Sequence, residues 1–365
     1  MPAAQSDLEL QNIQFPLDRL YNINIGKAEN KKDNCTNIFD LKGSVLMGKY
    51  FPPSASDAPR YSGIKTFMRL PYVKTTEDID FAIVGIPFDT ACNFKVGARL
   101  GPSSIREASA LMKNYNMNLE VNIFDYLSGV DYGDVPVVPS AITTTYDNIV
   151  KELTPLLDNN VMPMVMGGDH SITLGELRAV AKKYGPVALM HFDSHSDTSD
   201  IVYGQKYNHG TPFRRAMEEG LLDPGHCIQV GIRGTQYGPE DLQGARDLGI
   251  EIITANELHI MGVEKAGEIM RKRLGGKPVF LTFDIDFCDP SCAPGTGTIE
   301  PGGFTSYEAL SLIRELKDEN IVAMDLVEVL PTIDPSGQTA FLASVIMNEV
   351  LAIKALQKKN GNASV

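Results

Sequence analysis

Six side chains of metal-ligating type fall into three short clusters. His170 closes the run Gly167-Gly168-Asp169-His170, Asp193, His195 and Asp197 form a D-x-H-x-D run, and Asp284 and Asp286 form a D-x-D run. Each cluster follows directly on an apolar stretch, VMPMVM, VALMHF or VFLTF. In extended backbone, residues two apart point the same way, so one face of each run can meet a common centre. Carboxylate oxygen predominates among the donors, which suits hard or borderline ions such as Mn²⁺; Ni²⁺ or Co²⁺ would use similar donors. Bridging carboxylates are what two ions about 3.5 to 4 Å apart require. A single aspartate after a strand is more often a turn or helix cap, and Asp169 is read that way. Single strand-end histidines are more often hydrogen-bonded core residues, the reading given to His191, His226 and His259. For the six together the balance reverses: carboxylates gathered at one rim repel and destabilise the fold unless cations neutralise them.

The elements that must position these residues are short apolar runs: 81–86, 161–167, 187–193, 227–232, 251–255, 279–284 and 321–327. Their near-continuous apolar content predicts strands covered on both faces, as in a parallel sheet between helix layers. Helical segments are predicted at 175–183, 212–220, 263–274, 306–317 and 338–358, with a further helix starting at Gly101-Pro102 near Arg106. This alternation gives an α/β chain, a three-layer αβα sandwich with a mostly parallel central sheet. In such sheets ligands bind beyond the carboxyl ends of the strands, where the three clusters lie. Residues 1–65 are polar and interrupted and form an N-terminal extension; 66–365 form one catalytic domain without a fixed-period repeat.

A formal net charge of −13 over 365 residues opposes attraction to nucleic acid or anionic lipid and is compatible with a cationic small substrate. Five scattered cysteines predict no disulfide framework and a cytoplasmic setting. No signal peptide is apparent, and no run is read as reaching the roughly 18 to 20 apolar residues that span a bilayer. Gly101-Pro102 lacks the Lys-Ser/Thr ending of a phosphate loop. Cys288 and Cys292 are read as buried thiols rather than a zinc pair. Pro294 to Thr298 is read as a rigid loop shaping the rim.

Seven segments, taken together, resemble the arginase and agmatinase family of ureohydrolases, in its agmatinase branch. They are GIPFDT at 85–90, GARLGPSSIR at 97–106, GGDHSIT at 167–173, HFDSHSDT at 191–198, NHGTPFRRAMEEGLLD at 208–223, FDIDFCDPSCAPGTGTIEPGG at 283–303 and VEVLP at 327–331. The resemblance implies an arginase/deacetylase-like fold and hydrolysis of a guanidino C–N bond to urea and an amine. It implies two divalent ions, Mn²⁺ foremost and Ni²⁺ as the alternative. One would be held by His170, Asp193, Asp197 and Asp284, the other by His195, Asp193, Asp284 and Asp286, with Asp193 and Asp284 bridging. Glu328 would orient the guanidinium, and His209 would shuttle a proton to the leaving amine.

Asn93 and Phe94, within ACNFK at 91–95, are expected at the substrate pocket. There Phe94 and Lys95 depart from the small-residue run followed by Arg that many agmatinases carry, and Ile333-Asp334 stands where a Tyr-Asp pair is common. These departures keep free guanidine and N-alkylated guanidines or biguanides beside agmatine and guanidinobutyrate as expected substrates. The family also implies a homo-oligomer, a trimer or hexamer. A zinc amide hydrolase is disfavoured by the presence of both His170 and His195, and a non-catalytic subunit of a mixed oligomer by the complete ligand set.

Overall fold

Every apolar run identified above becomes a strand, and pairing rather than local propensity sets where each ends. The computed structural model describes residues 49–361 apart from residue 239, so most of the expected N-terminal extension lies outside the described residues. In chain order the elements are β1 (Phe81–Ile86), α1 (Gly101–Ser109), β2 (Tyr115–Asn116), β3 (Val121–Asn122), β4 (Gly129–Asp134), α2 (Ile142–Asp158), β5 (Met162–Gly167), α3 (Thr173–Tyr184), β6 (Val187–Phe192) and α4 (Pro212–Glu218). They continue with β7 (Leu222–Ile232), α5 (Glu240–Asp247), β8 (Glu251–Thr254), α6 (Ala255–Met261), α7 (Val263–Leu274), β9 (Val279–Asp284), α8 (Ser306–Arg314), β10 (Ile321–Val327) and α9 (Gln338–Lys359). Eight strands form one sheet in the order β4-β1-β5-β10-β9-β6-β7-β8. All its pairings are parallel.

Helices cover both faces, giving the αβα sandwich. On one face α1, α7, α8 and α9 pack on Met190, Leu281, Phe283 and Met324. On the other, α2, α3 and α4 pack on Leu189, Phe280, Ala323 and Val327. Six elements were not expected from the sequence: β2, β3, β4, α2, α5 and α6. Strand β4, GVDYGD, mixes glycine and acid with too few apolar residues to look like a strand. Pairing with β1 stabilises it, as does Arg106, which donates to both oxygens of Asp131 at 2.8 and 2.9 Å and to Asp134 at 2.7 Å. Helix α2 carries Pro155 and a threonine run, both poor helix signals, yet buries Tyr146, Ile149, Leu153 and Leu156 along one side.

One sequence expectation is corrected. Helix α9 is long and apolar enough by length and composition to cross a membrane. Most of that stretch is buried against the sheet, α1 and α8, which accounts for its composition.

Candidate functional site

Strands β5, β10, β9 and β6 are neighbours in the sheet and run in one direction, so their carboxyl ends open onto one rim. Each chain segment must turn sharply as it leaves its strand. At Gly168 a Cβ would run into the Phe88 carbonyl oxygen, so no side chain is tolerated there. Asp197 and Glu328 adopt left-handed backbone, with φ of 48° and 64°. Such strain at non-glycine residues persists where the surroundings enforce it, often at functional sites. Asp169 caps the turn that begins at His170, accepting from the Ser171 amide at 3.1 Å, as the sequence reading expected. It also accepts from the Ala91 amide at 2.9 Å, tying the 89–97 loop to the rim.

All six ligand-type residues converge. His170 Nδ1 lies 3.2 Å from Asp193 Oδ2, 3.1 Å from Asp197 Oδ2 and 3.3 Å from Asp284 Oδ2. His195 Nδ1 lies 3.1 Å from Asp286 Oδ2 and 3.5 Å from Asp193 Oδ1. Asp193 therefore places one oxygen in each group. His170 Nδ1 is buried without a hydrogen-bond partner, in the middle of three carboxylates. A lone pair and several anions pointed at one another fit a divalent cation and little else. The ionisation of the set agrees. Burial, then Asp286 and Asp193, push the Asp284 carboxyl well above the usual range. Burial pulls both histidines down, but the surrounding aspartates outweigh it and hold them well above theirs.

Groups beside the six complete the geometry. His191 donates from Nε2 to Asp193 Oδ2 at 2.7 Å, so this buried histidine belongs to the site as well as to the core. The two other histidines read as core residues are not buried. His226 lies half-exposed 3.0 Å from Asp223, and His259 is exposed and stacked on Phe304. Ser194 donates from its amide and hydroxyl to Asp286 Oδ1 at 3.1 and 2.7 Å. Thr298, at the end of the Pro-Gly loop, donates to Asp286 Oδ2 at 3.3 Å.

Glu328 and His209 meet directly. Glu328 Oε1 accepts from the His170 amide at 3.0 Å and from His209 Nδ1 at 3.1 Å. Burial lowers the affinity of His209 for its proton, but Glu328, Asp197 and Asp169 outweigh that and raise its pKa to about 9. The Asn93 amide donates to His209 Nε2 at 3.2 Å, so Asn93 reaches the site through its backbone as well as by lining the cavity. Its loop is pinned by Asn208, which donates to the Ala91 carbonyl at 2.6 Å, and by Asp89, which accepts from the Gly97 amide at 2.8 Å. Phe94 is 72% exposed and outside the cavity lining. Asp334, which follows the departing Ile333 and matches the common pair, accepts from the Thr339 amide in the first turn of α9 at 2.8 Å. The cavity above the six residues measures about 740 Å³ and is lined by His195, Asp197, His209 and Asp284 at its floor, while Glu328 is buried behind His209 and outside the lining.

Residues 79–352 match the arginase family. The chain belongs to it. It is 41% identical over 294 residues to proclavaminate amidinohydrolase of Streptomyces clavuligerus, covering 80% of this chain and 94% of that enzyme. It is 43% identical over 303 residues to mitochondrial agmatinase of Gallus gallus, covering 83% and 89%. It is also 39% identical over 305 residues to guanidinobutyrase of Pseudomonas aeruginosa, covering 83% and 96%. Among solved structures, that of the Streptomyces clavuligerus proclavaminate amidinohydrolase superposes with a TM-score of 0.78 at 40% identity, over 82% of this chain and 99% of that one.

As an arginase-family hydrolase, the chain has the sheet and rim the resemblance implied. What the sequence reading missed are the partners of the six residues. His191, two before Asp193, and Thr282, two before Asp284, share their faces by strand alternation, and that spacing was the available signal. Nothing local marked Ser194 or Asn93's amide, whose roles come from loops meeting across the rim.

Proposed function

We propose that this chain is a dinuclear metal-dependent hydrolase that splits a guanidino compound into urea and an amine. The observation that carries the reading is Asp193 shared between two histidine–carboxylate groups, with His170 Nδ1 buried and lacking a hydrogen bond. His170, Asp193, Asp197 and Asp284 would hold one ion, and His195, Asp193, Asp284 and Asp286 the other, with Mn²⁺ as first choice and Ni²⁺ second. When bound, such a pair of ions supplies a water acidified into the neutral range.

The chain's own groups prepare the substrate. Glu328 Oε1 is held by the His170 amide and His209, while Oε2 accepts no hydrogen bond among the described residues and is free for a guanidinium. Charge-assisted bonding there fixes the orientation of a planar, delocalised group that is a poor electrophile. An amine leaves readily only when protonated. His209, whose Nδ1–H is bonded to Glu328, lies beside that carboxylate to pass a proton to the leaving amine.

The outer cavity bears on the substrate's other end. Asp200, Glu240, Asp241 and Glu300 line it, and its one Arg or Lys side chain among the described residues, Arg214, sits 3.2 Å from Glu218 and 3.8 Å from Asp200. A neutral or cationic tail is therefore favoured over a carboxylate tail. The test is metal content together with urea release from protein loaded with Mn²⁺ or Ni²⁺. Agmatine, guanidinobutyrate, guanidinopropionate, guanidine and an alkylbiguanide are the substrates. About two ions per chain and urea from agmatine at a higher kcat/KM than from guanidinobutyrate are expected. No urea from any of them at full metal occupancy sinks the guanidino reading; a preference for guanidinobutyrate sinks the reading of the tail.

A further inference from the structure

Beneath the rim, a row of polar side chains crosses four adjacent strands. Gln229 on β7, His191 on β6, Thr282 on β9 and Asp325 on β10 face one another in register, and all four are fully buried. Apolar residues occupy the same face elsewhere, so a polar row is unfavourable there unless hydrogen bonds satisfy it. Three of its members bond upward, each to a segment of the candidate site. Gln229 Nε2 donates to the Ser196 carbonyl at 2.6 Å, His191 to Asp193 at 2.7 Å, and Thr282 Oγ1 lies 2.9 Å from His170 Nε2. Asp325 accepts from Thr173 Oγ1 at 2.6 Å on one oxygen, sits at the position paired with Thr282 on the adjacent strand, and leaves Oδ1 buried without a hydrogen-bond partner.

The direction of these bonds follows from His170. Its Nδ1 faces three carboxylates, so as a metal ligand its hydrogen sits on Nε2 and is donated to Thr282 Oγ1. The Thr282 hydroxyl then has its own hydrogen left for Asp325. We propose that Thr282 and Asp325 are positioning residues that fix the ring of His170 as an Nδ1 ligand. This rests on the metal reading above, and the experiment separates the two.

Thr282→Val keeps the volume and removes the hydroxyl, whereas Thr282→Ser keeps the hydroxyl. Calorimetric titration of the metal-free proteins with Mn²⁺ reads the affinity of each ion, and their thermal midpoints are recorded alongside. Outer partners of metal ligands typically contribute about 10- to 100-fold in affinity, so Thr282→Val is expected to weaken one ion by that factor. Thr282→Ser is expected to bind like the wild type, with the metal-free midpoints alike. Wild-type affinity for both ions in Thr282→Val overturns the proposal. So does an equal loss in Thr282→Ser, or a loss that tracks a fallen midpoint. Asp325→Asn, which turns a donor toward one of the two threonine hydroxyls, is expected to weaken the same ion, and it decides the matter if Thr282→Val does not fold. A wild type that binds no divalent ion overturns the metal reading itself.

Discussion

The two faces of the central sheet are built from the same strands and are equally buried, yet they differ in chemistry. On the face toward α7, α8 and α9, Met190, Leu281, Phe283 and Met324 form a dry layer. On the face toward α2, α3 and α4, alternate positions of those same strands carry His191, Thr282 and Asp325. Because side chains alternate along a strand, one element can serve stability on one side and a site on the other. The polar face lies directly under the loops that carry the candidate ligands, and it is where burial is least favourable. The division of labour between the faces is therefore open to experiment, since changes on one side should move function and changes on the other should move stability.

The largest effect is expected at the rim. Burial, Asp286 and Asp193 push the Asp284 carboxyl well above its usual pKa range, so its negative charge is unfavourable in the metal-free protein. Asp284→Asn removes that charge while keeping the shape. It should keep the metal-free thermal midpoint, lose the metal-induced rise in midpoint and reduce urea release about 10³-fold or more, as removal of a bridging charge implies. A variant that keeps both ions would break the assignment of Asp284 as a shared ligand.

Next comes His209. His209→Ala should lower urea release about 10²- to 10⁴-fold, the usual range for a positioned proton donor, with metal content unchanged. Since the raised pKa of His209 comes chiefly from Glu328, NMR titration of the metal-free protein should show it losing its proton near pH 9. Glu328→Gln should move that titration downward; an unmoved titration would separate the two residues functionally.

On the dry face the pattern should invert. Leu281 is fully buried, and Leu281→Ala should cost about 2 to 5 kcal/mol in chemical denaturation through the cavity it leaves. The folded fraction should still bind metal as the wild type does. Weakened metal binding in still-folded protein would mean that the two faces are coupled through the sheet.

How much of this was legible beforehand depended on whether a signal was local. The strands that carry the candidate ligands announced themselves as apolar runs ending in D-x-H-x-D or D-x-D, because both period and chemistry are written within a few residues. Strand β4 did not, since its stability comes from β1 and from Arg106, which lies 25 residues from Asp131 in the chain. Asn93 was placed at the pocket, but its amide bond to His209 spans 116 positions and no spacing rule reaches that far. Phe94 was expected beside it, yet successive residues in the turn diverge, and its ring is exposed with the Lys95 amine 5.6 Å above it. The polar row was half visible, in that His191 and Thr282 each sit two positions before a candidate ligand.

The smallest effect tests what the polar face costs. Glu176 on α3 is fully buried, and its Oε1 has no hydrogen-bond partner. Burial, and then Asp325, raise its carboxyl well above the ordinary range. A carboxyl whose pKa is higher in the folded state binds more protons there than in the unfolded chain. Its contribution to stability is fully present below the unfolded pKa of about 4.5 and is lost as pH rises toward the folded value. Glu176→Gln removes the titrating group while nearly keeping the shape. It should therefore raise metal-free stability by about 1 to 3 kcal/mol at neutral pH, the range seen when buried ionisable groups are replaced. It should also flatten the fall in stability as pH rises above about 4.5, followed by denaturant titration at several pH values. A stability loss at every pH would instead show that Glu176 bonds within the polar row and supports the ligand loops, which would extend the functional face one layer deeper into α3.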